Sequence, residues 1–180
     1  MQEGVSVWAC FLAGVILFKD QEAISVPAFQ PPLANTGKSI LFGAMVAVPF
    51  AVINNLYFYM NVGTVQLQNV FYSAFEALSP AIHEEIIFRF FLLAIALNLL
   101  KFSTSGRWAM VIAILLAVIP HSLNHLPELF RDNPIIGLLM LIATSLLFGL
   151  PMALLQVKRN LETAITFHWF IDFARFFFGF

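Results

Sequence analysis

The stretch Ala81-Ile-His83-Glu84-Glu85-Ile-Ile-Phe-Arg89-Phe-Phe-Leu-Leu-Ala-Ile-Ala-Leu-Asn98-Leu-Leu100 is long and apolar enough to cross a bilayer as one helix. Its first turns nevertheless carry two carboxylates and a guanidinium. Each charge near mid-membrane costs about 3 kcal/mol on insertion scales, so such groups face a protein interior and mark function. The rest of the chain agrees with a membrane setting. Of its 180 residues, 61% are apolar and only 11% charged, with a mean hydropathy of +0.89. That composition describes a polytopic membrane protein. A net charge of −1 gives no basis for nucleic-acid binding. The single cysteine, Cys10, excludes an internal disulfide and a Cys-rich metal site.

The hydrophobic pattern predicts an all-α polytopic membrane protein of about six transmembrane helices, plus an interfacial helix. The expected spans are residues 5–18, 39–60, 81–100, 108–126, 135–157 and 163–180. Residues 62–78 are less apolar and carry Gln66, Gln68, Asn69 and Glu76, which reads as a helix lying on the membrane surface. Pro27, Pro31, Pro32 and Gly37 break the chain into a polar loop, and Pro49 predicts a kink within the second span. There is no internal repeat, so residues 1–180 are expected to form a single transmembrane domain. The N-terminus lacks the basic n-region of a signal peptide, and the first apolar stretch is expected to stay as a helix or anchor. Lys19, Lys38, Lys101, Arg107, Lys158 and Arg159 fall in one set of loops and only Arg131 in the other. The positive-inside rule then puts the lysine-rich ends in the cytoplasm and the N-terminus outside.

Within the spans, Glu85 and Arg89 are i,i+4 with the acid N-terminal, the favoured order for an ion pair on one helix face. Glu84 is rotated by about 140° from Arg89 and stays available as a general base. The next span ends Pro120-His121-Ser-Leu-Asn124-His125, with two imidazoles i,i+4. The last carries His168-Trp-Phe-Ile-Asp172, where Asp172 can instead pair with Arg175 and hold His168 in a purely structural cluster. Three helices each placing acids or imidazoles in an apolar region are most simply satisfied by one shared polar site. Such a set can activate a water directly or hold a zinc-bound one.

These motifs resemble those of the CPBP intramembrane proteases, the CAAX-protease or Abi family. The family pattern is E-E-x-x-x-R, then F-x-x-x-H, then H-x-x-x-N or D, on successive membrane helices. Here Glu84-Glu85-Ile-Ile-Phe-Arg89 matches the first. His125 matches the histidine of the second with His121 in the phenylalanine position, and His168 and Asp172 match the third. The similarity runs over about residues 79–173 and implies an intramembrane endopeptidase. Glu84 would then be the general base and His125 would hold the water. His168 and Asp172 would complete the site, and Glu85 and Arg89 would brace it. Because an ionised Asp172 cannot donate to an oxyanion, it would have to be protonated or orient His168 instead. The cofactor implied is none, or zinc on Glu84, His125 and His168. His121 would be a further ligand, a proton relay or an incidental replacement. The expected partners are the bilayer and a peptide or lipidated-protein substrate, and the expected location is the plasma (inner) membrane of a prokaryote. The alternatives are a catalytically inactive scaffold or bacteriocin-immunity-type protein on the same fold, and a proton-coupled transporter.

Overall fold

The computed structural model describes residues 2–19, 33–100 and 106–180. The expected loop residues Pro27, Pro31, Pro32 and Lys101 lie outside them. All regular structure among the described residues is helical. It comprises α1 (Gln2–Lys19), α2 (Leu33–Val62), α3 (Val70–Glu84), a π-helical segment (Glu85–Leu92), α4 (Leu93–Leu100) and α5 (Gly106–Asn124). After these come α6 (Pro127–Asp132), α7 (Pro134–Thr144), a second π segment (Ser145–Gly149), α8 (Leu150–Lys158) and α9 (Leu161–Phe177). Among the described residues, three helices are long and apolar enough to cross a membrane, Asn35–Val62, Gly106–Asn124 and Pro134–Lys158. Their outward faces are apolar, as lipid contact requires: Met45, Val52, Leu116 and Leu139 are each at least half exposed.

The spine is the packing of α2 on α9. Ser39, Gly43, Ala47 and Ala51 recur every four residues on one face of α2 and are all buried. Small side chains at that spacing let two helix backbones approach closely where no water drives association. A Cβ at Gly43 would lie 2.6 Å from the Thr163 carbonyl oxygen. Replacing Gly43 with Leu should therefore separate the two helices and lower stability by about 1–3 kcal/mol or more. The melting temperature in detergent reads this directly, and a wild-type melting temperature would contradict the close contact. On the same seam, Phe50 packs edge-on against Phe167 with centroids 5.1 Å apart.

The structure corrects two sequence expectations. Gly37 is not a loop breaker but an exposed residue inside α2, which begins at Leu33. Pro49 lies inside that helix, where the sequence put it. Residues 62–78 are not an independent surface helix. Gly63 turns the chain at φ 77°, residues 64–69 carry no helix, and the helical run that starts at Val70 continues without a break to residue 100. Its start is set by Asn69, whose side-chain oxygen accepts from the Phe71 and Tyr72 amides as an N-cap. It is held to α9 by the Trp169 indole, which donates to the Ala74 carbonyl at 2.9 Å. The stretch before it pairs with the chain's end, Gln66 and Gln68 donating to the carbonyls of Phe178 and Phe177.

Candidate active site

The turn of the chain that carries the acids is not ordinary α-helix. From Glu85 to Leu92 the backbone is π-helical, with one extra residue per turn, a geometry found mostly at functional positions. Consecutive Glu84 and Glu85 then reach different helices from adjacent positions. Glu84 contacts the His121 imidazole of α5 and Glu85 the His168 imidazole of α9. On the opposite side of the segment, Phe90 is fully buried and stacks on Phe11 of α1 at 5.6 Å.

Glu85 and Arg89 form an ion pair at 3.2 Å, and both side chains are completely inaccessible. Glu85 Oε1 also accepts from His168 Nδ1 at 2.9 Å. Arg89 Nη2 reaches His121 Nδ1 at 2.9 Å and Met152 Sδ at 3.3 Å. A guanidinium has donors only, so His121 Nδ1 must be the acceptor and carry no proton. The remaining proton of a neutral His121 then sits on Nε2, which donates to Glu84 Oε2 at 2.8 Å. Arg89 thereby fixes both the orientation and the tautomer of the imidazole that holds Glu84.

His125 lies one turn further on, with Nε2 3.3 Å from the same Glu84 oxygen. Its side chain is 47% exposed against 6% for His121. The structure thus places both histidines beside Glu84, with His121 inside the cluster and His125 at its rim. The sequence pattern hides this division because the two stand i,i+4 and share a helix face. With His121 taken as the histidine of F-x-x-x-H, Ala117 occupies the phenylalanine position, a register equally compatible with the spacing. Nothing in the sequence between Glu84 and His121 hints at the contact, which spans 37 positions.

His168 completes the cluster from α9. Its Nδ1–H faces Glu85, so Nε2 points between Asp172 Oδ2 at 3.4 Å and Glu84 Oε2 at 3.9 Å. Asp172 Oδ1 is in turn 3.5 Å from Arg175 Nη2. With one oxygen toward an imidazole and the other toward a guanidinium, Asp172 is arranged to orient His168.

Among the described residues, the group whose ligand atoms lie close enough together to share a metal ion is Glu84, His121 and His168, all within 4.8 Å. It contains His121 where the zinc set expected from sequence has His125. A metal-bound histidine ordinarily donates its second ring N–H to an acceptor. His121 instead faces a donor, Arg89, at Nδ1, which leaves the proton on the nitrogen that a metal would need. The donor set therefore fits a zinc ion poorly.

Residues 66–174, more than half of the chain, match the family described as type II CAAX prenyl endopeptidase Rce1-like. No curated protein and no solved structure matches the chain.

Proposed function

From the premise that the chain belongs to the type II CAAX prenyl endopeptidase Rce1-like family of integral membrane proteases, we propose that Glu84 is its general base and that it hydrolyses a peptide bond near a prenylated cysteine without a metal. The observation that carries this reading is the convergence on one Glu84 oxygen of His121 and His125, with His168 beside them. A water held by Glu84 gives up a proton to the carboxylate, and its oxygen forms a bond to the scissile carbonyl carbon. The carbonyl electrons move to oxygen, where His168 in its doubly protonated form, with Nδ1–H on Glu85 and Nε2–H beside Asp172, stabilises the negative charge. Collapse breaks the C–N bond, and the proton on Glu84 passes to the leaving amine. His121 holds Glu84 in place and Arg89 holds His121. The Glu85–Arg89 pair braces the segment.

The test is incubation of the purified chain in nanodiscs with a peptide ending Cys-a-a-X, farnesylated on the cysteine, a C-terminal pattern that directs prenylation. Mass spectrometry should find the released C-terminal fragment, in equal yield with and without chelator. Chelator-sensitive cleavage would overturn the metal-free mechanism. Absence of any cleavage across prenyl groups and pH would overturn the peptidase reading in favour of a scaffold.

The two histidines should separate in the same assay. His121→Phe removes the Nε2–H that holds Glu84 and the acceptor for Arg89, and turnover should fall about 100-fold or more. His125→Ala, at the exposed rim, should lose less than about tenfold. The reverse order, measured as kcat/KM at equal protein stability, would return the main role to His125.

A further inference from the structure

At the other end of α9 from Asp172, an open cavity of about 380 Å³ is lined by Asn35, Lys38 and Ser39 of α2 and by Lys158, Arg159 and Asn160 before α9. We propose that this cavity binds the negatively charged phosphate headgroup of an anionic membrane lipid. Among the described residues, its lining holds three cations and no carboxylate. The cations come from two helices that meet only through tertiary packing, so the cluster is a product of the fold and not of a basic run in sequence.

The floor of the cavity is built and buried. Asn160, 5% exposed, donates from Nδ2 to the Ser39 hydroxyl at 2.7 Å, and Ser39 is itself 5% exposed. The Asn160 side-chain oxygen Oδ1 accepts from the Thr163 amide at 3.0 Å, which caps α9. The N-terminal end of that helix carries partial positive charge toward the same space. Arg159 lies over the Phe42 ring with its guanidinium carbon 4.1 Å from the centroid, a stacking that steadies the group and uses none of its N–H donors. Lys38, Lys158 and Arg159 are exposed, and the exposed Leu41 and Met45 follow Lys38 at i+3 and i+7 on the same apolar face of α2. A lipid can therefore place its phosphate among the cations while its acyl chains run down the helix. Basic pockets at the lysine-rich end of membrane helices bind phosphate headgroups in this way. The cavity is separate from the protease-like cluster, since His168 is about 12 Å further along α9 at 1.5 Å per residue.

The same chemistry could be met by a soluble phosphate, so the experiment has two arms. The full chain, delipidated in a neutral detergent, is titrated with phosphatidylglycerol or phosphatidylcholine and the adducts are counted by native mass spectrometry. A second series repeats the phosphatidylglycerol titration against inorganic phosphate as competitor. We expect one tightly held phosphatidylglycerol, weak phosphatidylcholine, and competition by inorganic phosphate only in large excess. Lys38→Gln with Lys158→Gln should weaken the phosphatidylglycerol adduct about 25-fold, roughly fivefold for each cation near an anionic headgroup. Both side chains are exposed, and an unchanged melting temperature of the lipid-free variant confirms that it folds. The proposal is overturned if the two lipids bind alike, if the double variant keeps its adduct, or if inorganic phosphate binds as tightly as the lipid. It is equally overturned if a charge-keeping Lys38→Arg, Lys158→Arg variant fails to restore binding.

Discussion

Glu84→Gln should reduce turnover of a prenylated peptide by about 100- to 10,000-fold, the usual scale for loss of a positioned general base. The substitution keeps the shape of the side chain and an oxygen that can still accept from His121 Nε2. It removes only the basicity. The fold should therefore survive with a melting temperature close to that of the wild type, because the Glu85–Arg89 pair and the His168 contact are untouched. Single-turnover rates and thermal melts on the same samples check both halves. A variant that folds and turns over within a few-fold of the wild type would remove Glu84 from the chemistry. One that fails to fold would instead make Glu84 a structural acid.

Arg89→Met should destabilise the protein by about 3–5 kcal/mol, the cost of leaving a buried carboxylate without its cation. Glu85 and Arg89 are both inaccessible at 0% exposure, so no water can replace the lost partner. Glu85 Oε2 already lacks a hydrogen-bond partner, which leaves the acid with little else to lean on. The loss should be largely reversed in the double variant Glu85→Gln, Arg89→Met, where neither charge remains. Replacing both members of a buried pair is often near neutral. Activity should not return with stability, because His121 Nδ1 would still be without its donor and free to change tautomer. Denaturation in mixed micelles gives the two stabilities, and the peptide assay gives the third number. If Arg89→Met unfolds within about 1 kcal/mol of the wild type, the pair is not the brace of this site.

Much of this architecture is local and therefore readable along the chain. The Glu85–Arg89 contact, the approach of His168 to Asp172 and that of Asp172 to Arg175 are all separated by three or four residues. Helix geometry alone brings such pairs onto one face, even though the π segment widens the turn in which the first occurs. Apolar composition likewise determines that the chain is helical and belongs in a membrane, because only helices and closed barrels satisfy their backbones there.

Long-range placement was not readable. His121 and His125 share a helix face, so periodicity cannot say which one is enclosed, and the choice falls to Arg89 reaching across from another helix. The continuity of residues 70–100 was hidden because Gln66, Gln68, Asn69 and Glu76 make residues 62–78 read as a separate surface helix. The basic cavity needs Lys38 and Lys158 side by side, though 120 positions separate them. What the sequence by itself determined is the inventory: membrane helices, two acids, an arginine and the imidazoles to meet them, because these follow from transfer energies and a period of 3.6. Only the tertiary structure decided which imidazole beside Glu84 is enclosed and which lies at the rim, since that depends on Arg89 reaching the second nitrogen of His121 from another helix.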